Sequence, residues 1–487
     1  MWQAPLRPRA ARCRSLGRLP SAPRAAQAVE VRERLPAPAP AEGASGQRDE
    51  AAPAAAGDLP PSATGTRRSP YLASRLQGLG TTIFAEMSAL AAATGSVNLG
   101  QGFPDTDGPE AVSEAAVRAI REGRNQYPPG GGEPELRRAV AEHRMRFYGQ
   151  SFDPGTEVLV TAGATEAVTA SILALCETGD EVVLLEPFYD SYPAAVALAG
   201  ARPRLVPFRP PRWQLDLDAL GDAVNPRTRV VVVNSPHNPT GRVLDRTELS
   251  AIAELCVRHD LLAITDEVYE HLVHEGQHLP LASFPGMAER TLTISSAGKT
   301  FSFTGWKVGW ACGPAPLVAA VRTVAQYLTY VNAAPFQPAV AAGLGLPGSF
   351  FAGVAASLRE RRDRLCSGLE AEGFALVPPQ AGYFVLAGLP GWAEAGEPGR
   401  PGGSGDAARF CRELPGRVGV VAIPASAFCE RRADLAGFVR FAFCKRPEVL
   451  DLALERLAGL RAPLAAPGPT SPMAPSGSGP STPGLAS

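Results

Sequence analysis

Short apolar runs alternate with amphipathic segments through the middle of the chain. Five runs have strand length and are apolar almost throughout: EVLVTA (157–162), EVVLLE (181–186), RVVVVN (229–234), LLAITDE (261–267) and TLTISS (291–296). Segments such as ATEAVTASILALCE and DRTELSAIAELCVRHD, with apolar residues at helical spacing, separate them. Runs of this kind predict strands covered on both faces, as in parallel sheets built from βαβ units. The predicted fold class is therefore α/β with a mainly parallel central sheet.

Bulk composition narrows the class of protein. The 487 residues are 45% hydrophobic and 20% charged, with a net charge of −1, which suits a large core divided into two or more domains. The small net charge and the lack of a membrane-length apolar stretch argue against nucleic acid and membranes as partners, and they favour an enzyme of small molecules. Eight scattered cysteines without a CxxC pair indicate neither a zinc cluster nor a disulfide framework. We therefore expect a reducing, cytoplasmic location.

The two ends of the chain differ from its middle. Residues 1–68 are dominated by Ala, Pro, Arg and Gly and lack periodic apolar residues, so they are predicted to be disordered, as is the tail at 463–487. The first 28 residues contain arginines and no acid, which resembles a mitochondrial transit peptide, but prolines break the amphipathic helix that such a peptide needs. A low-complexity arm is the favoured interpretation. The Gly/Pro-rich stretch at 396–405 is predicted to be a surface loop.

Polar residues follow the predicted strands at the points where those strands end. Gly163, Ala164 and Thr165 open a helix after the first run, where free N–H groups suit a phosphate. Later strand ends carry an amide, a carboxylate with a phenol, and a hydroxyl with an amine: Asn238, Asp266 with Tyr269, and Ser296 with Lys299. Intervals of 28 residues from Asn238 to Asp266 and 33 from Asp266 to Lys299 each fit one βα crossover. Neighbouring strands would therefore gather these residues at one edge of the sheet.

Pyridoxal phosphate is the cofactor that requires this set of groups. It needs an amine for its aldehyde, an anion beside its ring nitrogen, donors to its phenolate oxygen and a phosphate site. Lys299 would form the Schiff base and then move the substrate α-proton, and Asp266 would keep the ring nitrogen protonated. Tyr269 and Asn238 would donate to the phenolate oxygen. Ser296, Lys307 and the amides of residues 163–165 would receive the phosphate.

An ordered series of segments resembles the fold-type I aminotransferases of the class I/II group. The series runs over about residues 70–460 and comprises NLGQGFPD (98–105), NQYPPGGG (125–132), EPFYDSY (186–192), SPHNPTG (235–241), TDEVYEHL (265–272), SSAGKTFSFTGWKVGW (295–310) and VRFAFCK (439–445). It is similar to kynurenine aminotransferases, and the residues of its segments resemble those of bacterial N-succinyldiaminopimelate aminotransferases more closely. The resemblance implies a type I fold with an N-terminal arm and part of a small domain at 69–114, a large cofactor domain at 115–334, and the rest of a small α+β domain at 335–462.

The resemblance also implies roles that spacing alone does not give. Tyr189 falls where the family stacks an aromatic ring on the pyridine, and Tyr127 falls where a tyrosine reaches the phosphate of a partner subunit, which implies a homodimer with shared sites. Arg440 falls where an arginine binds the substrate α-carboxylate. Gly102 and Phe84 fall on the substrate side of the site.

Simpler interpretations exist for most of these residues. Asp266 and Glu267 could be a helix N-cap pair, Arg440 could lie on an edge strand, and Tyr189 and Phe84 could be core aromatics. The segment HLVHEGQH (271–278) holds half of the six histidines. It lacks a recognised ligand pattern, so no metal site is expected.

Three function classes are compatible with the motifs. They are an aminotransferase, a cysteine-conjugate β-lyase that uses the same Lys299, and a binding module of a transcription regulator, for which residues 1–68 lack the helix-turn-helix pattern. An aminotransferase acting on an L-amino acid and a 2-oxo acid is the prediction. Residues 332–335 read Asn-Ala-Ala-Pro where kynurenine enzymes carry bulkier groups, so N-succinyl-LL-diaminopimelate with glutamate is preferred over a kynurenine or glutamine donor.

Overall fold

The computed structural model describes residues 71–77, 79, 82–390 and 406–461, all within one compact unit of the chain. The predictions of disorder at 1–68 and 463–487 and of a surface loop at 396–405 concern residues that lie outside the described ones. The division of the chain into domains stays a prediction.

An eight-stranded sheet forms the centre of the molecule. The strands of the described chain are β1 Val97–Asn98, β2 Val158–Thr161, β3 Glu181–Glu186, β4 Arg202–Arg209, β5 Gln214–Leu215, β6 Thr228–Asn234, β7 Leu262–Asp266, β8 Thr291–Ser296, β9 Gly309–Cys312, β10 Ala375–Leu376, β11 Phe384–Gly388, β12 Val420–Val421, β13 Ile423–Pro424 and β14 Phe438–Ala442. The central order is β2-β9-β8-β7-β6-β3-β4-β5. The five strands from β8 to β4 in that order are mutually parallel, whereas β9 and β5 pair antiparallel to their neighbours. The predicted α/β class with a mainly parallel sheet is confirmed.

Helices cover both faces of this sheet. They are α1 Ile83–Thr94, α2 Glu110–Arg121, α3 Pro134–Tyr148, α4 Gly163–Leu175, α5 Ser191–Leu198, α6 Leu217–Asp222, α7 Arg246–Arg258, α8 Ala297–Thr300, α9 Ala315–Leu328, α10 Phe336–Leu344, α11 Gly348–Ala371, α12 Ala407–Val418 and α13 Pro447–Leu457. The two segments with helical spacing became α4 and α7. A capping box formed by Asp245 and Glu248 fixes the start of α7, because each side chain satisfies a free backbone N–H of the first turn.

The core explains why the central strands are apolar throughout. Residues 230–233 of β6 are at most 2% exposed, and their side chains contribute alternately to two separate apolar clusters, one on each face of the sheet. A strand covered on both faces has no position for a solvated side chain. Polar residues of the sheet are therefore concentrated where the strands end.

A second, smaller sheet lies in the C-terminal part of the chain. Its order is β10-β11-β14-β13, with every pair antiparallel, and β1 pairs in parallel with β12 beside it. Arg440 lies on β14, which has a neighbour on each side, so the interpretation of Arg440 as an edge residue is wrong.

In the part of the chain that the structure describes, no single helix is long and apolar enough to cross a membrane. The helices α10 and α11 reach the required length and hydropathy only when taken together, and a bend of 92° separates them.

Candidate active site

A cavity of about 430 Å³ lies at the carboxyl ends of the central strands. All of the predicted site residues except Tyr127 line it: Phe84, Gly102, Gly163, Ala164, Thr165, Tyr189, Asn238, Asp266, Tyr269, Ser296, Lys299, Lys307 and Arg440. The structure thus brings together side chains from segments that are as much as 356 positions apart in the sequence. It also places Tyr189 and Phe84 on the cavity wall while their rings pack against the apolar core.

The floor of the cavity comes from three adjacent parallel strands. In the register of β6, β7 and β8, Asp266 pairs with Asn234 on one side and with Ile294 on the other. The predicted adjacency of the three strand ends is therefore present. The residues after Asp266 form a turn rather than an α-helix, so the interpretation of Asp266 and Glu267 as a helix N-cap pair is wrong.

Asp266 is a buried carboxylate with hydrogen-bond donors on both oxygens. The Tyr192 hydroxyl donates to Oδ2 at 2.6 Å, and the Val268 N–H donates to Oδ1 at 3.3 Å. Burial raises the pKa of Asp266, and these two hydrogen bonds together with the nearby Lys299 oppose that rise. A carboxylate in such surroundings gains most from a cationic group placed beside it.

Lys299 enters the cavity from α8, directly after β8. Burial lowers the pKa of its amine, with Lys307 and Arg440 contributing in the same direction, while Cys444 and Asp266 oppose the shift. A lowered pKa increases the fraction of neutral amine at a given pH. The neutral amine is the form that attacks a carbonyl or accepts a proton.

One end of the cavity is built to receive an anion. Gly163, the first residue of α4, has φ +77°, and a Cβ added there would lie 3.2 Å from the Lys307 ammonium nitrogen. The side chain of Lys307 therefore lies against the N-terminus of α4, where unpaired N–H groups already favour negative charge. Ala164, Thr165 and Ser296 line the same cavity.

The polar side chains between the two ends have defined orientations. Asn238 accepts a hydrogen bond from Arg440 on its Oδ1 at 3.2 Å, which leaves its amide nitrogen as the donor toward the cavity. The ring of Tyr269 packs edge-on against that of Tyr383, with 5.3 Å between the ring centres, and burial raises the pKa of Tyr269, so it stays a neutral phenol. The ring of Tyr189 packs edge-on against that of Tyr192, with 5.8 Å between the ring centres.

Arg440 is a buried cation for which no described carboxylate lies within ion-pair distance. Its Nη2 donates to the Gly100 carbonyl at 2.9 Å, and its Nε has no hydrogen-bond partner. Its guanidinium lies 3.9 Å from the ring centre of Phe384 and 4.4 Å from that of Phe428. Burial lowers the pKa of Arg440 to about 10, so it is still charged at neutral pH. A buried charge of this kind favours a ligand with the opposite charge.

Several lining residues were missed by the sequence interpretation. Tyr192, the donor to Asp266, stands three residues after Tyr189, and this one-turn spacing at the start of α5 was an available signal. Asn234 accepts from the N–H of Asn238 at 2.8 Å and donates to the Asp266 carbonyl at 2.8 Å. Its place at the end of a strand was a similar signal. Gln101, which directly precedes the predicted Gly102 in NLGQGFPD, also lines the cavity.

Tyr127 is the predicted site residue that lies outside the cavity. Its side chain is 80% exposed, and its ring centre is 5.4 Å from that of Tyr330, which is 56% exposed. The role inferred for Tyr127 concerns a second subunit. It stays a prediction.

Two of the histidines form a cluster behind the cavity. In the described chain, the ligand atoms of His143, Glu270 and His271 lie within 4.8 Å of one another, close enough to hold a metal ion. The two imidazoles contact each other through their Nε2 atoms at 2.7 Å, and Glu270 accepts hydrogen bonds from Arg144 and Ser295. These contacts hold the group together through hydrogen bonds and an ion pair.

Comparison with known proteins places the chain in a family. Residues 94–457 match the family model described as aminotransferase class I and II. The chain belongs to this aminotransferase family. Members of the family transfer amino groups between amino acids and 2-oxo acids and use pyridoxal phosphate, so the predicted enzyme class is confirmed.

Individual relatives agree with this assignment. The chain is 56% identical to Probable N-succinyldiaminopimelate aminotransferase of Mycobacterium tuberculosis, over 80% of this chain and 98% of the relative. It is 39% identical to human kynurenine–oxoglutarate transaminase 3, over 79% and 89%. A solved structure of N-succinyldiaminopimelate aminotransferase from M. tuberculosis superposes with a TM-score of 0.76 at 55% identity, covering 80% of this chain and all of that one.

Proposed function

We propose that this aminotransferase binds pyridoxal 5′-phosphate in the 430 Å³ cavity and transfers an amino group from glutamate to the 2-oxo acid that corresponds to N-succinyl-LL-diaminopimelate, and in the reverse direction. The observation that carries the proposal is the set of three ionisable groups in one cavity, namely Lys299, Asp266 and Arg440. Asp266 and Arg440 are buried and Lys299 is half-buried, and no described side chain forms an ion pair with any of the three. Each matches one requirement of the cofactor or of an amino acid.

The donor set of the cavity fits the cofactor. A Cβ on Gly163 would fill the space in front of the Lys307 ammonium, so a phosphate oxygen has room at that point, together with the N–H groups of α4. Asp266 suits a protonated ring nitrogen, and the amide nitrogen of Asn238 and the phenol of Tyr269 suit the phenolate oxygen. When bound, pyridoxal phosphate supplies an aldehyde and a ring that withdraws electrons from the substrate Cα.

The residues of the chain then have separate tasks. Arg440 binds the substrate α-carboxylate through its guanidinium fork, which matches a carboxylate in geometry as well as in charge. Lys299 Nζ, in its neutral form, accepts the proton from the substrate Cα and can return it in the reverse direction. The aromatic rings of Phe84 and Phe384 beside Arg440 limit the access of water, which strengthens the ion pair.

The substrate proposal rests on similarity rather than on a side-chain pocket. The relative named for N-succinyldiaminopimelate is 56% identical, against 39% for the human kynurenine enzyme. In addition, Asn332 donates hydrogen bonds to the carbonyl groups of Thr161 and Lys307. Asn332 thus lies beside Lys307 at the phosphate end, and none of residues 332–335 lines the cavity. The kynurenine enzymes that the chain resembles carry bulkier groups at these positions.

A panel of amino donors tests this proposal. Purified enzyme is incubated with 2-oxoglutarate and with N-succinyl-LL-diaminopimelate, kynurenine, glutamine or methionine, and glutamate formation is measured together with pyruvate release from a cysteine conjugate. We expect the highest kcat/KM for N-succinyl-LL-diaminopimelate. A higher value for kynurenine or glutamine would replace the substrate assignment, and dominant pyruvate release would indicate the β-lyase.

Assembly and location belong to the same proposal. Exposed aromatic residues, with Tyr127 80%, Tyr327 81% and Tyr330 56% exposed, support a homodimer in which a second copy covers this surface. Seven buried, unpaired cysteines of the described chain support a cytoplasmic location. A monomer in sedimentation analysis at working concentration would remove the dimer from the proposal.

A further inference from the structure

Residues that face the cavity floor alternate with residues that face the opposite side. Asp266 lies between Thr265 and Glu267, Tyr269 precedes Glu270, and Ser296 follows Ser295. These neighbours point into a buried polar group around an arginine of α3. We call it the Arg144 cluster, and its members are Arg144, Thr265, Glu267, Glu270, His278 and Ser295.

Arg144 forms two buried ion pairs in this cluster. Its Nη2 lies 2.9 Å from Glu267 Oε2, its Nη1 lies 2.8 Å from Glu270 Oε2, and its side chain is 0% exposed. Burial raises the pKa of both carboxyl groups, but Arg144, the neighbouring histidines and the side-chain hydrogen bonds together outweigh it, so the pKa of Glu267 is lowered and that of Glu270 falls to about 2. Both glutamates are therefore ionised at neutral pH.

The remaining oxygen of each glutamate is tied to a strand. Ser295 Oγ donates to Glu270 Oε1 at 2.6 Å, and Thr265 Oγ1 donates to Glu267 Oε1 at 3.0 Å. His278 Nε2 also contacts Glu267 Oε2 at 3.0 Å. With every carboxylate oxygen engaged, the cluster links α3 to the ends of β7 and β8 by directional contacts.

We infer that the Arg144 cluster is a positioning device that holds Asp266, Tyr269 and Ser296 in place from behind the cavity. Arg144 touches none of the lining groups directly, so it is a positioning residue. Strand pairing fixes the backbone of Asp266, and the Glu267 N–H still donates to the Ile294 carbonyl of β8 at 2.8 Å. The chain then leaves the sheet in a turn, closed by a hydrogen bond from the Glu270 N–H to the Glu267 carbonyl at 2.9 Å. The side-chain contacts of Glu267 and Glu270 therefore hold this turn, and with it Tyr269, against the sheet. The inference rests on the proposed function, in which these residues hold the cofactor.

The first test compares Arg144→Lys with Arg362→Lys. Arg362 is a matched control because it is 3% exposed and is also paired with two carboxylates, at 2.8 Å to Glu275 and 2.6 Å to Asp363. It does not line the cavity. Lysine keeps the charge but has no planar fork with which to hold two carboxylates at once. Both variants should lose thermal stability.

The two variants should differ in how they bind pyridoxal phosphate. For Arg144→Lys we expect the dissociation constant of pyridoxal phosphate to rise about tenfold or more, because Asp266 and Tyr269 would no longer be held in place. The visible circular dichroism per bound cofactor should also change. A shift of about 1 Å in a group that takes part in the reaction costs about a hundredfold in rate. kcat should fall while KM for the amino donor stays within about threefold, because Arg440 is anchored elsewhere, on Gly100 and Asn238. Arg362→Lys should change neither cofactor property. Equal cofactor binding and dichroism in the two variants would overturn the inference.

Milder variants cover the case in which Arg144→Lys does not fold. Ser295→Ala removes one donor to Glu270, and Glu270→Gln keeps the shape while removing the charge. Both should shift cofactor affinity and dichroism in the same direction as Arg144→Lys but by less, and unchanged values in both would also overturn the inference. If the wild-type protein itself binds no pyridoxal phosphate, the proposed function fails instead.

Discussion

Burial lowers the pKa of both Lys299 and Arg440, with opposite consequences for their chemistry. For Lys299 the shift increases the share of neutral amine, which the reaction needs. For Arg440 the pKa of about 10 leaves the group charged at neutral pH, so it can still bind a carboxylate. The same desolvation therefore prepares one group as a base and leaves the other as an anion receptor, because their unperturbed pKa values differ.

The two lysines of the cavity should be distinguishable by chemical trapping. Borohydride reduction of the enzyme with pyridoxal phosphate should bleach a visible absorption band and label Lys299, and Lys299→Ala should abolish both the label and turnover. Lys307→Ala should keep the label and weaken cofactor binding, because Lys307 lies at the anion end of the cavity. Peptide mapping by mass spectrometry decides between the two, and a label on Lys307 in the wild-type enzyme would reverse the assignment.

Loss of Arg440 should weaken both half-reactions equally, since every amino donor and every 2-oxo acid carries the same carboxylate. Removing one partner of a buried, hydrogen-bonded charge pair costs about 2–5 kcal/mol. At about 1.4 kcal/mol per tenfold, this predicts a loss of tens-fold to thousands-fold in kcat/KM for Arg440→Ala. Arg440→Lys should recover only part of it.

Single-turnover kinetics of each half-reaction measure this loss, with the visible spectrum as the control for an intact cavity. Wild-type rates with glutamate and with 2-oxoglutarate, beside an intact spectrum, would place the carboxylate site elsewhere.

At the scale of elements, the anion end of the cavity depends on how α4 begins. Gly163 has positive φ, and its Cα hydrogen faces the Lys307 side chain. This conformation lets the helix start immediately after β2, so that its N-terminus points into the cavity. A side chain at this position would be strained and would also compete for the space of the anion.

Gly163→Ala should therefore affect cofactor binding more than stability. Gly276→Ala is the matched control, because Gly276 has φ +82° and a Cβ there would meet nothing within 4 Å. Both changes should cost about 1–3 kcal/mol of backbone strain, read as similar losses in the free energy of unfolding. Only Gly163→Ala should also weaken pyridoxal phosphate affinity, measured by equilibrium dialysis. Equal affinity in the two variants would show that the anion lies away from Gly163.

The mainly parallel sheet, the adjacency of three strand ends and the identity of the floor residues could be predicted from the sequence, because they follow local patterns, whereas the full strand order could not. An apolar run followed by a polar residue marks the end of a parallel strand, and Asn238, Asp266 and Lys299 were found in this way. The Arg144 cluster could not be found, since Arg144 and Glu267 are 123 positions apart. Within PELRRAVAEHRMRFY the residue resembles any charged residue of an amphipathic helix. Long-range burial decides its role, and a single sequence does not contain that information.

At the scale of the whole molecule, four of the six histidines are held neutral by burial. Burial lowers the pKa of His143 and His237 to about 3 and that of His271 and His274 to about 4. In the unfolded chain each would titrate near its ordinary value of about 6.5. Their contribution to stability is therefore complete above about pH 6.5 and is lost as the pH falls toward the folded values.

Stability should consequently decrease as the pH is lowered from about 6.5 to about 4. Each histidine that becomes protonated only on unfolding adds at most about 1.4 kcal/mol per pH unit to the slope. Urea unfolding of the apoenzyme between pH 7 and pH 4.5 measures this slope, and His237→Gln should reduce it by about one proton. A pH-independent unfolding midpoint over this range would show that these histidines are not neutral in the folded protein.

The carboxamide of Asn238 serves two partners, because its Oδ1 accepts a hydrogen bond from Arg440 while its nitrogen remains a donor toward the cavity. Its oxygen is committed to the arginine, so only its nitrogen is available on the opposite side, and rotation by 180° would set two donors against each other. An engineer who wished to retarget the enzyme would therefore have little freedom here. Asn238→Asp would form an ion pair with Arg440 and compete with the substrate carboxylate. Asn238→Leu would leave one N–H of the Arg440 guanidinium without an acceptor. A change in substrate preference would therefore have to come from substitutions at other residues of the cavity wall, with Asn238 kept.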